Sequence, residues 1–312
     1  MPLLRGAASR ARPIPAIAGI VPQLVLESNI FLKVMLLYYM ARSILLPGEG
    51  RRHVTARPEE EIMIGFAGGR VVVTGAGGGV GTALVKVLAD CGASVVACDR
   101  EGTDLAGAAE CCYFDLLDDA AVAGAAERIV RGGAPMAVIS NAGWTRAETL
   151  ADVTTEALDK EMDLNFRSAA LLSNALLPAM RDRPSGAAFV FVSSVNALAH
   201  CGNPAYSAAK AALNAWMRAI ATEEGKNGVR ANVVVPGSIR TGAWDHRIAE
   251  KPGILAAVSR LYPLGRLVEP VEVARAAAFL ASPAASGITG VTLNVDAGLM
   301  AGNLPFLEQI ST

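Results

Sequence analysis

The sequence predicts a doubly wound α/β fold, in which a parallel sheet is covered by helices on both faces. Three observations carry this reading. Valine- and isoleucine-rich runs alternate with alanine-rich helical segments from about residue 70 to residue 295, the pattern of strands buried on both sides. The first run breaks into glycines and continues with apolar residues at helical spacing. A second run ends in an acid about 20 residues beyond those glycines. About 250 residues suffice for a single core, so residues 63–312 are expected to form one domain behind an N-terminal extension, residues 1–62.

The first strand is Arg70-Val71-Val72-Val73-Thr74. The turn after it reads Gly75-Ala76-Gly77-Gly78-Gly79-Val80-Gly81, and a helix follows over residues 82–88. Glycines let a backbone approach a pyrophosphate closely, and the helix N-terminus adds oriented N–H donors and a positive dipole end. Strand, glycine turn and helix together frame a Rossmann-type dinucleotide site. The next strand runs from Ser94 to Asp99 and is followed by Arg100. Asp99 can accept hydrogen bonds from adenosine ribose hydroxyls and repels a 2′-phosphate. NAD is therefore expected over NADP, with Arg100 the one group there that could hold a phosphate.

Further on, Phe189-Val190-Phe191-Val192 ends in Ser193 and Ser194, hydroxyls at the strand edge where such sheets bind ligands. Tyr206 and Lys210 then stand one helical turn apart on the same face of an alanine-rich helix, with Pro204 near its start. Free tyrosine titrates near pH ~10. A cation beside it favours the phenolate and lowers that value, which suits a proton donor and acceptor at neutral pH.

Taken together, these residues resemble the short-chain dehydrogenase/reductase family in its single-domain form, over about residues 66–298. The motifs are Thr74-Gly75-x-x-x-Gly79-x-Gly81, Asp115-Leu116 after the third strand, and Ser140-Asn141-Ala142-Gly143 after the fourth. Asn165 in a long helix, Ser194, and Tyr206 with Lys210 follow. Pro236-Gly237-Ser238-Ile239-Arg240-Thr241 comes after the sixth strand, and Val295-Asp296-Ala297-Gly298 resembles the closing strand. The resemblance implies a general acid/base role for Tyr206, and for Lys210 a lowering of the tyrosine pKa and a bond to the nicotinamide ribose. It implies that Ser194 holds the substrate oxygen and that Asn165 supports a proton relay behind Lys210. Asp115 and Leu116 would flank the adenine, and Asn141, Ala142 and Gly143 the adenosine ribose side. Pro236 and Gly237 would border the cofactor, with Ile239 and Thr241 holding the carboxamide. The family's usual serine-to-tyrosine spacing selects Ser193, whereas the strand-end position selects Ser194. Gly202-Asn203-Pro204 suggests a loop shortened by one residue, which favours Ser194. Ser140 stands where the family often has asparagine.

The function implied is reversible hydride transfer between NAD(H) and a secondary alcohol or its ketone, with no metal. The alternative is a non-catalytic NAD(H)-binding sensor or scaffold, which would need the glycine loop and Asp99 but not the proton relay. A homo-tetramer or homo-dimer packed through the helices carrying Asn165 and Tyr206 is also implied. Residues 242–268 show no strong period and are expected to form a lid over the substrate. Trp244, His246 and Tyr262 there, with Trp144, Asn196 and His200, are candidate pocket walls.

The first 62 residues are rich in arginine, with Glu27 the only acid before Glu49. The apolar stretch 29–46 is interrupted by Lys33 and Arg42, short of the ~20 apolar residues a membrane helix needs. A targeting leader, membrane association through 29–46, and translation from a start upstream of Met63 all remain open. The net charge of −1 and the lack of a basic, aromatic cluster argue against a nucleic-acid partner. Five cysteines without a C-x-x-C pair argue against a disulfide framework or zinc site. The adjacent Cys111 and Cys112 are expected to be buried in a strand, and a reducing cytoplasm is the expected location.

Overall fold

A computed structural model describes residues 64–311; the apolar stretch 29–46 and the rest of the N-terminal extension lie outside the described residues. The strands are β1 (Arg70–Thr74), β2 (Ser94–Asp99), β3 (Glu110–Tyr113), β4 (Ala137–Ser140), β5 (Ala187–Val192), β6 (Val229–Pro236) and β7 (Thr292–Val295). They form one sheet in the order β3-β2-β1-β4-β5-β6-β7, every neighbour parallel. The helices are α1 (Gly79–Asp90), α2 (Asp119–Arg131), α3 (Thr155–Met162), α4 (Ser168–Arg181), α5 (Pro204–Glu224), α6 (Ala243–Glu250), α7 (Ile254–Ser259), α8 (Pro270–Ala281) and α9 (Leu304–Ile310). A π-helical turn, Asp163–Arg167, joins α3 to α4.

The continuous apolar runs of β1, β4, β5 and β6 follow from burial on both faces. Alternate residues go to opposite sides. Val72, Val138, Phe189, Phe191 and Val233 join Ile129 of α2, Leu176 and Met180 of α4, and Leu213 and Met217 of α5 in one core. Val71, Val73, Ile139, Val190 and Val234 pack with Leu84 and Leu88 of α1 and with Val273 and Leu280 of α8 in the other. The chain builds outward through β2 and β3, then returns to place β4 on the far side of β1. That reversal opens a crevice at the carboxyl ends of β1 and β4, where open α/β sheets bind ligands.

Local chemistry sets several ends. Asp118 accepts from Ala120 N and Ala121 N at the start of α2, an N-cap. Glu269 and Glu272 form a capping box at α8, with Pro270 in the first turn. Arg181 grips Glu224 through two bonds, at 2.6 and 2.5 Å, tying α4 to α5.

Residues 242–268 hold α6 and α7, and Trp244, Tyr262 and Leu267 bury into a satellite core. One expectation needs correction. Cys112 is buried but Cys111 is exposed, because successive residues of a strand face opposite ways and β3 is an edge of the sheet. Among the described residues, no helix is long and apolar enough to cross a membrane.

Candidate active site

The glycine turn shapes one wall of the crevice. Gly75 has φ +64, a conformation that favours glycine. A side chain there would also meet the Cα of Ala142 at 2.8 Å, so the loops after β1 and β4 can touch only because it is absent. Asn141 locks that junction: its Nδ2 donates to Thr74 O at 3.1 Å and Gly75 O at 3.0 Å. The Thr74 hydroxyl in turn accepts from Asn141 N and Ala142 N. No side chain caps the start of α1 after Gly78, which leaves the N-terminal donors of that helix to an anionic ligand.

Asp99 sits opposite, at the end of β2. Its carboxylate accepts from Gly77 N at 3.0 Å and from Arg100 N at 2.8 Å. The acid therefore braces the glycine loop and faces the crevice at once. Asp115 closes its own turn by accepting from Leu117 N at 2.9 Å. A cavity of about 920 Å³ runs from Asp99 and Asp115 past the glycine loop to Tyr206, within the usual size of a cofactor site. Glycine cradle, uncapped helix start and an acid at the ribose position fit a nicotinamide dinucleotide.

Tyr206 and Lys210 lie on the first two turns of α5, where Pro204 occupies a first-turn position after Asn203 at φ 51. Glu148 steadies that helix from outside, its buried Oε1 accepting from Ala205 N at 3.1 Å. Lys210 is buried, and its Nζ donates to Val192 O at 2.9 Å, which seats it beneath Tyr206, 5.6 Å from the ring centre. Burial pushes the lysine down to about 8, opposed by Glu161. Ser194 reaches the Tyr206 hydroxyl, whereas Ser193 turns inward to Lys210 O at 3.4 Å. Asn196 orients Ser194 by accepting from its hydroxyl at 3.2 Å.

The tyrosine itself differs from expectation. Burial of its hydroxyl end pushes Tyr206 up to about 12, against the bond from Ser194 that draws it down. Desolvation sets the direction, and the Lys210 Nζ is turned toward Val192 O.

Asn165 lies in the π-helical turn and does not line the cavity. It stands behind it, its Nδ2 donating to Trp144 O at 2.8 Å and to Glu161 Oε2 at 2.6 Å, its Oδ1 accepting from Trp144 N at 3.1 Å. Gly143 separates it from the lysine: a side chain there would lie 2.9 Å from Asn165 Oδ1 and 3.3 Å from Lys210 Nζ.

Gly75, Gly77, Gly78, Gly79, Val80, Asp99, Arg100, Asp115, Leu116, Asn141, Ala142, Gly143, Ser194, Tyr206, Lys210, Pro236, Gly237, Ile239 and Thr241 all border the one cavity. Gly81 does not; it is buried against Ala76, where no side chain fits. Of the expected pocket walls, Trp144 borders the cavity and Trp244, Tyr262, Asn196 and His200 do not. Tyr262 instead accepts from Ser238 N at 2.9 Å, and the side chain of His246 lies outside the described residues. Sequence reasoning missed Arg247 and Lys160, which border the cavity, and the buried acids Glu148 and Glu161. The one available signal for Glu161 was an acid one helical turn before Asn165.

Residues 75–300 match a family model described as enoyl-(acyl carrier protein) reductase. The chain is 37% identical over 245 residues to an uncharacterized oxidoreductase of Schizosaccharomyces pombe, covering 78% of this chain and 95% of that one. An oxidoreductase of the short chain dehydrogenase/reductase family from Burkholderia thailandensis superposes with a TM-score of 0.73 at 37% identity, over 79% of this chain and 98% of the other. An NADPH-bound short chain oxidoreductase from Pseudomonas aeruginosa with an atypical catalytic center superposes with a TM-score of 0.70 at 34% identity, over 76% and 99%.

Proposed function

The chain belongs to the short-chain dehydrogenase/reductase family, and we propose that it interconverts a secondary alcohol and its ketone with NAD(H) as the partner. The observation that carries this is the placement of Tyr206, Lys210 and Ser194 around the cavity that also holds the glycine loop and Asp99. A sensor would have no use for the first three.

A dinucleotide held by the glycine loop, the start of α1, Asp99, Ile239 and Thr241 would supply hydride acceptance and donation. The residues of the chain manage the proton. Ser194 donates to the substrate oxygen and holds it against Tyr206. In oxidation Tyr206, as phenolate, takes the proton from the alcohol hydroxyl; in reduction, as phenol, it gives that proton to the carbonyl oxygen. Lys210, an ammonium beneath the ring, offsets the charge the tyrosine oxygen carries in the first case. Such proton transfer contributes about 10²–10⁴-fold to rate. Asp99 supports NAD over NADP, since its carboxylate stands where a 2′-phosphate would be repelled.

Residues 63–312 would form the catalytic unit, assembled as a dimer or tetramer through the helices bearing Asn165 and Tyr206, in a reducing cytoplasm suited to its free cysteines. The test is NADH formation across a panel of secondary alcohols, with Tyr206→Phe in parallel. Turnover is expected in the unmodified protein and a loss of at least ~10²-fold in the variant, with NADH binding retained in both. Turnover that survives Tyr206→Phe would overturn the reading.

A further inference from the structure

Glu161 is the last buried acid before the relay residue Asn165, and the mechanism above makes no use of it. Its residue exposure is 1%. One carboxylate oxygen accepts from Asn165 Nδ2 at 2.6 Å and the other from Arg146 N at 3.3 Å, with the Thr145 hydroxyl also in reach. Among the described residues Glu161 makes no ion pair, and neither does Lys210, which is 3% exposed on the facing helix α5. Isolated buried charges are costly. Here two of opposite sign are buried without touching, Lys210 at the cavity and Glu161 behind it across Asn165.

We propose that Glu161 is the counter-charge of the Tyr206–Lys210 pair, a positioning residue that keeps Lys210 an ammonium and holds Asn165 behind it. The groups facing Glu161 are Asn165 from the π-helical turn, Thr145, Arg146 and Glu148 from the loop after β4, and Tyr206 and Lys210 from α5. Its neighbour Lys160 is drawn away over the Trp144 ring, at 4.3 Å. Burial and Glu148 push the Glu161 carboxyl up, and the bonds from Thr145, Arg146 and Asn165 pull it down. The Glu161 charge in turn raises both Lys210 and Tyr206. Its removal therefore moves both toward lower pH, so that the Tyr206–Lys210 pair loses protons earlier. The proposal rests on the reading of the Tyr206–Lys210 site as a proton-transfer centre.

The test is a magnetic resonance titration of the full chain with isotopically labelled lysine, free of substrate and dinucleotide, with Lys210→Met to assign the signal. Glu161→Gln should lower the Lys210 titration by about one pH unit, and Glu161→Asp should leave it near the unmodified value. In the unmodified chain the same signal should show a second inflection in the acid range as Glu161 takes a proton. The pH profile of turnover should move to lower pH in Glu161→Gln by a matching amount. A Lys210 titration unmoved by Glu161→Gln overturns the proposal, as does a single inflection in the unmodified chain, which needs no variant to fold. Equal loss of turnover in both variants at every pH also overturns it, since that marks a purely structural role. Because the titration needs no substrate, its failure is distinct from failure of the dehydrogenase reading, which shows as absent turnover.

Discussion

Replacing Asp99 by asparagine separates the two things that carboxylate does. Asparagine keeps an oxygen for the Gly77 N–H, now bonded at 3.0 Å, and removes the charge. A 2′-phosphate about 4 Å from Asp99 would be repelled by about 1 kcal/mol per unit charge in water and about 4 kcal/mol at an effective dielectric of 20. Asp99 is half-buried at the cavity edge, so about 2 kcal/mol per unit charge is the working figure. At about 1.4 kcal/mol per factor of ten, this is roughly 30-fold against NADPH. Binding of NADH and NADPH, followed by nucleotide fluorescence, measures it with no substrate needed. The unmodified protein should favour NADH by at least that ratio, and Asp99→Asn should bring the two within a few-fold, chiefly by tightening NADPH. Equal weakening of both nucleotides would refute the electrostatic reasoning and leave Asp99 only a brace for the glycine loop. A preference for NADPH in the unmodified chain would show that the Arg100 guanidinium wins over the acid beside it.

Two further outcomes are expected. Gly143→Ala would push a methyl group against Asn165 Oδ1 and Lys210 Nζ; displacement on that scale should cut kcat by about 10–100-fold while changing the Kd for NADH little, which steady-state kinetics and nucleotide titration check together. Glu224→Gln addresses the tie between α4 and α5: Arg181 holds the Glu224 carboxyl down to about 2, so its stabilisation is complete above about pH 4.5 and is lost as pH falls toward 2. The variant should melt about 2–4 °C lower at pH 7, and the two melting curves should converge near pH 2; a constant gap across that range would contradict the assignment.

Much of the architecture was legible because it rests on short-range rules. Arg70 to Leu88 spells strand, glycine turn and helix within one contiguous segment, and Tyr206 with Lys210 declares its shared face through spacing alone. What escaped notice depends on residues far apart in the chain. That Asn141 spends its amide on Thr74 and Gly75 cannot be read before the loops after β1 and β4 are known to meet. Glu148 is an unremarkable acid until Ala205, 57 residues on, brings it a helix N-terminus. The aromatics of residues 242–268 pointed to a pocket wall, yet Trp244 and Tyr262 found better burial in a small core of their own. The tyrosine pKa was misjudged for a similar reason: spacing reports the lysine charge and is silent on the desolvation around the hydroxyl.

The π-helical turn at Asp163–Arg167 places the site and the core under a single constraint of count. Each residue of an α-helix advances the face by about 100°, and a π turn holds one residue more than its neighbours need. Upstream of it Glu161 holds Asn165 behind the cavity, and downstream Leu172, Leu176 and Met180 pack into the core against the sheet. Deleting one residue there would restore a regular helix and rotate one half against the other, so that either the acid or the three apolar side chains would point the wrong way. The residue count of this turn is thus tied to the chemistry on one side and the packing on the other, and Asn165 within it serves both.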